Sequence, residues 1–409
     1  MLMPIMAPWR GFYMHVISIS NLDIVFGNHK NQALALLDAG RGRDEIREKT
    51  GQIVGVNHAN LNINKGEIFV LMGLSGSGKS TLLRAINGLC PITRGEIILT
   101  INEQGLEKTF SIAELDPVSM RHMRSKHISM VFQKFALLPW KNVLDNVAFG
   151  LEIARVSKNI REQRAYQCLE LVGLSEWAKR LPKELSGGMQ QRVGLARALA
   201  TDASILLMDE PFSALDPLIR NHLQQELLHL QKSLNKTIIF VSHDLDEALK
   251  IGSRIAIMQD GSIVQSGSAE EIVAKPKTAY VKDFVANIDH MRLLKARAIM
   301  ITIGDLKFSD DHMAVFLDQS GIYRCLLDEN GRPRRSICHD LEGRIVPWTL
   351  YQSGTFADND IVLGNEHLMI KDVINAVGRT KKPMIIQDKS GKMIGAVTTE
   401  SILRALSMK

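Results

Sequence analysis

Short, nearly uninterrupted apolar runs recur along the N-terminal part of the chain: Ile68-Phe69-Val70-Leu71-Met72, Ser204-Ile205-Leu206-Leu207-Met208 and Thr237-Ile238-Ile239-Phe240-Val241. Runs of this length, lacking the alternation of a half-solvated strand, predict strands buried on both faces of an α/β sheet. A further strand is expected at about Val16 to Ile19. Helical patterns begin at Thr81-Leu82-Leu83-Arg84-Ala85-Ile86 and run through Val193-Gly194-Leu195-Ala196-Arg197-Ala198-Leu199. No apolar stretch approaches the roughly 20 residues needed to cross a bilayer.

What punctuates these runs is chemical. Directly after the first comes Gly73-Leu74-Ser75-Gly76-Ser77-Gly78-Lys79-Ser80, and Thr81 opens the helix behind it. Strand, glycine-rich loop and helix form the context in which backbone N–H groups converge on a phosphate at a helix N-terminus. Lys79 supplies a point charge to the β- and γ-phosphates, and the Ser80 hydroxyl is placed to ligate Mg²⁺. The second run ends in Asp209-Glu210. A carboxylate at the C-terminal end of a buried strand can reach Mg²⁺, which suits Asp209, and Glu210 becomes the expected general base for an attacking water. The third run leads to Ser242-His243-Asp244. His243, at the same edge of the sheet, is expected to sense the γ-phosphate and orient water.

These residues, together with Leu185-Ser186-Gly187-Gly188-Met189-Gln190, resemble the ATP-binding subunits of ABC transporters over roughly residues 15 to 275. The resemblance implies that Gln133 contacts Mg²⁺ and links the nucleotide site to a membrane subunit. It makes Ser186, Gly187 and Gly188 the signature motif, Ser213 to Asp216 the D-loop, and His243 the switch histidine. Phe26, in Ile24-Val25-Phe26-Gly27, falls where the family places an aromatic platform for adenine. Because each motif occurs once, the resemblance further implies a head-to-tail homodimer with two composite sites binding ATP and Mg²⁺. The stretch Phe135 to Trp140 would then receive a membrane permease, with a solute-binding protein contributing indirectly.

Two departures from a minimal cassette sharpen the resemblance. An insert at about Lys30 to Gly55 reads as one or two short amphipathic helices ending at a glycine. It resembles the insert of glycine betaine, proline betaine and choline importers, and a neutral surface role is the expectation for it. After about Lys282 a second region follows. Helix, strand, turn, strand and helix are expected at Lys371–Arg379, Pro383–Gln387, 388–392, Met393–Val397 and Thr399–Leu406, an order that resembles a CBS module. Met313 to Ile337 reads as a weaker copy. The expected fold is therefore an α/β P-loop ATPase with an α-helical subdomain, followed by an α+β tandem CBS-like domain. Its boundaries are a tail at 1–14, the ATPase at 15–275 with the insert at 30–55 and the helical subdomain at about 134–190, a linker at 276–300, and the CBS-like pair at 301–409, its second module at about 365–409. Two readings of that module stand: Glu400 holds a nucleotide ribose, or the module is structural or dimerising.

Composition adds little that conflicts. The 409 residues, 45% of them hydrophobic, suffice for more than one core, and the four cysteines are scattered without metal-ligand spacing, as reduced cytosolic thiols would be. A net charge of +6 points to no nucleic acid partner. The basic clusters Arg332, Arg334, Arg335 and Arg379, Lys381, Lys382 read as solvated surface or as an anionic lipid contact that makes transport salt-sensitive. Residues 1–14 carry one charge, Arg10, and lack the apolar core of a signal peptide, so translation starts at Met1 or at Met14. The expectation is a peripheral ATPase on the cytoplasmic face of a bacterial inner membrane, driving uptake of a quaternary amine. An importer ATPase for another solute, or a non-transport ATPase acting on nucleic acid or a soluble complex, remains as a rival.

Overall fold

Every residue of the strands Ile68–Met72, Ile205–Asp209 and Thr237–Val241 is buried, as continuous apolar runs require when a sheet is covered on both faces. They lie side by side, with Thr237–Val241 in the middle and parallel to both neighbours. Ile128–Val131 and Arg254–Gln259 extend this sheet on either side, and Ser262–Gly267 closes one edge antiparallel. The three C-terminal ends of Ile128–Val131, Ile205–Asp209 and Thr237–Val241 therefore open at one edge, where α/β sheets bind ligands.

The computed structural model describes residues 15–103, 105–286, 295–310, 313–352, 354 and 356–407. The expected tail at 1–14 and part of the expected linker lie outside the described residues. The chain divides into two compact units, Met1–Ala286 and Asn287–Lys409.

In the N-terminal unit a second, antiparallel sheet is ordered Ile53–Asn64, His15–Phe26, Arg94–Glu103, Leu106–Ser111. Its first strand continues well past the Val16 to Ile19 core through register shifts, which let buried Leu22, Ile24 and Val25 follow Ile17 and Ile19 without strict alternation. The helix Lys79–Ile86 is sandwiched between the two sheets by Leu82, Leu83 and Ile86, all fully buried. Each such side chain contributes about 1.5–3 kcal/mol relative to exposure. The helices Val143–Ile153, Lys158–Leu171 and Gly187–Ala200 pack together beside the sheet. Among the described residues no helix is long and apolar enough to cross a membrane.

The insert forms two helices, Lys30–Asp38 and Arg43–Thr50. The second ends at Gly51 with φ +70°, whose N–H donates to the Arg47 carbonyl, the glycine stop the sequence predicts.

In the C-terminal unit, the helix Ile370–Thr380, strands Met384–Gln387 and Met393–Val397, and helix Thr399–Ser407 occur in the expected order. The two strands join Ile361–Asn365, Ile345–Pro347 and Ile301–Thr302 in one sheet. Over Ala314–Phe316, Tyr323–Leu327, Pro333–Cys338 and Leu341–Gly343 the chain instead forms an antiparallel meander of strands alone. Three of the six cations in the basic clusters are engaged within the unit: Arg334 pairs with Asp328, Arg335 with Glu342, and the Lys382 ammonium donates to the carbonyls of Asp358 and Asp360. Cys90, Cys168, Cys325 and Cys338 are all free thiols.

Candidate active site

The glycine-rich loop at 73–80, expected to bind phosphate, leaves its strand through Gly73 at φ +143° and enters its helix through Gly78 at φ +106°. Neither position admits a side chain: a Cβ would lie 2.2 Å from the Met258 carbonyl oxygen at Gly73 and 2.4 Å from that of Gly55 at Gly78. Gly76 lies between them at φ +78°. Ser77 donates its N–H to the Leu74 carbonyl, and Leu74 donates its own to the Tyr280 hydroxyl. Ser75 and Leu74 are exposed. The Lys79 ammonium, buried within the loop, donates to the carbonyls of Gly73 at 2.8 Å and Leu74 at 2.9 Å. Burial pushes its pKa down, against the attraction of Glu210 and Asp209.

Ser80 follows on the first turn of the helix and donates its hydroxyl to Asp209 Oδ1 at 2.7 Å. Asp209 is fully buried. Its other oxygen has no hydrogen-bond partner, with Arg84 Nη2 at 3.7 Å. Desolvation accordingly pushes the Asp209 carboxyl above its ordinary pKa of 3.8, against the hydrogen bond from Ser80.

One residue on, Glu210 holds φ +50°, a left-handed conformation unfavourable for a residue with a side chain and typical of functional sites. Its backbone N–H donates to the Val241 carbonyl. Its carboxylate Oε2 accepts from Gln133 Nε2 at 3.3 Å and lies 3.4 Å from His243 Nδ1. Three strand ends thus bring Gln133, Glu210 and His243 together.

Thr81 and Phe26 meet at a residue that sequence reasoning missed. A Cβ on Gly55 would fall 2.8 Å from the Phe26 ring and 2.9 Å from the Thr81 methyl. Phe26, 38% exposed, therefore presents its ring beside the start of the loop's helix, and only a glycine at 55 leaves it there.

Ser186 caps the helix Gly187–Ala200, its hydroxyl accepting from the Met189 N–H at 3.3 Å. Ser186 and Gly187 are exposed. No described hydrogen bond joins Ser186, Gly187 or Gly188 to residues 73–81 of the same chain. Asp216 likewise caps a helix, Pro217–Leu234, by accepting from the Ile219 N–H.

Gln191 was also missed. It is fully buried in the helix behind Ser186, donates to the Glu210 carbonyl at 3.0 Å and accepts from the Ala214 N–H at 3.0 Å. One side chain ties the helix after the Ser-Gly-Gly turn to the residue after Asp209 and to the 213–216 segment. An amide flanked by the apolar face Val193-Leu195-Ala196 was the available signal. Arg197 from the same helix donates to the carbonyls of Phe135 and Ala136, fixing the backbone after Gln133.

Comparison with known proteins agrees with this geometry. The sequence profile of the family described as ABC transporter matches residues 56–213. The glycine betaine/carnitine transport ATP-binding protein GbuA of Listeria monocytogenes is 40% identical, the match covering 96% of this chain and 98% of that one. The glycine betaine/proline betaine transport system ATP-binding protein ProV of Escherichia coli is 49% identical over 69% of each chain. Among solved structures, the ATP-binding cassette MJ0796, in a dimeric post-hydrolysis state bound to ADP and Pi, is 31% identical with a TM-score of 0.52, over 62% of this chain and 98% of that one. A glycine-rich loop between strand and helix, a buried strand-end aspartate and a glutamate clasped by glutamine and histidine, on a chain that matches GbuA along nearly its whole length and ProV along two thirds of it, place this protein in the family of ABC transporter ATP-binding subunits.

Proposed function

We propose that this chain powers import of glycine betaine or a related quaternary amine, by hydrolysing ATP at a site built from residues 73–81, Asp209, Glu210, Gln133 and His243. The observation that carries the site is the convergence of Gln133 and His243 on the Glu210 carboxylate, at the edge where Ser80 meets Asp209. The cargo class is supported by what the relatives GbuA and ProV are named for.

Loop N–H groups and Lys79 bind the β- and γ-phosphates, and Phe26 stacks on adenine. The buried Asp209 oxygen without a hydrogen-bond partner, beside the Ser80 hydroxyl, suits a hard dication that accepts oxygen ligands. Ser80, Asp209 and Gln133 would hold Mg²⁺, which when bound neutralises charge on the phosphate oxygens. Glu210 accepts the proton of the attacking water, and His243 orients that water toward the γ-phosphate. Exposed Ser186 and the Gly187 and Gly188 amides, at a helix N-terminus with its positive dipole end, complete the site of a second copy in a head-to-tail dimer. Support for the dimer comes from the dimeric cassette structures to which the chain is similar.

Trp140 is 73% exposed in the segment that Arg197 holds, and this surface would take the permease on the cytoplasmic face of the membrane. In the C-terminal unit the 370–407 order supports a CBS-like regulatory role. The engaged state of Arg334, Arg335 and Lys382 leaves fewer cations for lipid.

The test is ATP-dependent uptake of labelled glycine betaine, choline, carnitine and proline by vesicles holding the chain with its permease and binding protein. Uptake of at least one quaternary amine is expected, and it should vanish with Glu210→Gln. Uptake of another solute class alone would overturn the cargo, and ATPase activity stimulated by nucleic acid would overturn the transport role.

A further inference from the structure

The insert at 30–55 was expected to be neutral surface, yet it touches the nucleotide site at both ends. Arg43, the first residue of the helix Arg43–Thr50, donates from Nη1 to the Gly76 carbonyl at 3.0 Å, in the middle of the phosphate loop. At the other end Gln52, almost fully buried, accepts the His29 N–H at 3.1 Å and lies against Gly27, where a Cβ would fall 1.9 Å from its Oε1. Gln52 thereby braces the turn directly after Phe26.

The insert is rigid enough to transmit that hold. Ile46 is fully buried with Ala33, Val25 and Val54 in a small core of its own. Residues three apart share a helix face, so seating Ile46 sets the rotation that sends Arg43 to the loop. Two neighbouring cations are committed elsewhere, since Arg41 and Lys49 both pair with Glu45.

Gly76 itself needs an external restraint. Glycine populates left- and right-handed backbone about equally, so a loop rich in it has little intrinsic preference for the conformation that converges its N–H groups. Lys79 restrains the carbonyls of Gly73 and Leu74, but an ammonium that turns its donors to phosphate oxygens gives those carbonyls up. Besides the Ser77 N–H on the Leu74 carbonyl, the restraints that persist come from outside the loop: the Tyr280 hydroxyl on the Leu74 N–H at 3.3 Å, the Gly261 N–H on the Ser77 carbonyl at 3.0 Å and, on Gly76 itself, Arg43.

We propose that the insert is part of the nucleotide site and that Arg43 is a positioning residue, holding the phosphate loop in its anion-binding shape and so setting affinity for nucleoside di- and triphosphates. The proposal rests on the ATP site described above. In full-length Arg43→Ala, KM for ATP and Kd for ADP should both rise about fivefold, equivalent to ~1 kcal/mol at 1.4 kcal/mol per decade. Turnover at saturation should stay within about twofold, because an interaction made equally in ground and transition states moves KM alone. Arg43→Lys should recover part of the affinity, and Arg41→Ala, which removes a nearby cation that does not touch the loop, should change nothing. Melting temperatures of all variants are measured in parallel, so that a folding defect is not read as a binding one. Unchanged KM and Kd in Arg43→Ala, or a fall in kcat at constant KM, would overturn the positioning role alone. A parental protein that fails to bind ATP would overturn the site as well.

Discussion

Asp209→Asn should make the nucleotide-free protein more stable while abolishing its gain from Mg²⁺ and ATP together. Asp209 is fully buried, and one of its two oxygens accepts no hydrogen bond. Leaving such an atom unsatisfied costs about 1–3 kcal/mol. Against this stands Arg84 at 3.7 Å, whose side chain is 46% exposed, and a half-exposed pair of that kind returns about 0–1 kcal/mol. Desolvation outweighs the attraction, as the raised carboxyl pKa also requires. Asparagine keeps an oxygen for the Ser80 hydroxyl and removes the charge, while its amide NH2 takes the buried position that has no partner. The gain is therefore the charge's share of the cost alone, about 1 kcal/mol, a rise of about 2–4 °C in the melting of the N-terminal unit.

The pH dependence carries the sign. An acid whose folded pKa lies above its unfolded value destabilises the fold when ionised, so the cost is absent below the ordinary 3.8 and complete above the raised value. The difference between Asn and Asp proteins should therefore be near zero at the acid end and grow as pH rises through that window. Calorimetry from acid to neutral pH, with and without Mg²⁺ and ATP, reads all of this. An Asn protein that melts at or below the parent near neutral pH, or that still gains the parent's full stabilisation from Mg²⁺ with ATP, would refute the reasoning.

Three other outcomes follow from the same geometry. Glu210→Gln should lower kcat by about 10²–10⁴ while ATP binding persists; steady-state hydrolysis within a few-fold of the parent would remove Glu210 as the base. Gly55→Ala places a methyl within 3 Å of both the Phe26 ring and the Thr81 methyl, so Phe26 must move; affinity for adenine nucleotides should drop several-fold, roughly 1 kcal/mol, and equilibrium binding of ATP showing no change would count against the platform. Gln191→Leu leaves the Ala214 N–H without its acceptor and should cost about 1–3 kcal/mol in stability together with turnover, measured by thermal melting and ATPase rate; a stable, fully active variant would show the tie to be dispensable.

How much was legible in the residues varies by element. The buried parallel strands showed as uninterrupted apolar runs because a sheet covered on both faces has no solvent side to alternate with. The helix, strand, strand and helix after Ile370 were equally readable, since turn residues at 388–392 and apolar periodicity agreed. The long first strand was read too short, because its register shifts break the period on which such a reading depends. The stretch at 313–337 showed its strands but not that they form a meander of strands alone, since pairing partners are chosen by contacts distant in the chain.

The sequence by itself determined the chemistry: a glycine loop with Lys79 and Ser80, an aspartate and a glutamate at one strand end and a histidine at another are local patterns, each held within a few residues. Only the tertiary structure decided which of these meet. The 3.3 Å contact of Gln133 with Glu210 spans 77 residues, and the Ser80 bond to Asp209 spans 129. It also decided that Gly55 admits the Phe26 ring, that Gln191 ties a helix to Glu210, and that Arg43 holds Gly76. Such contacts leave no periodic trace, because a single hydrogen bond between distant segments constrains two residues and nothing between them.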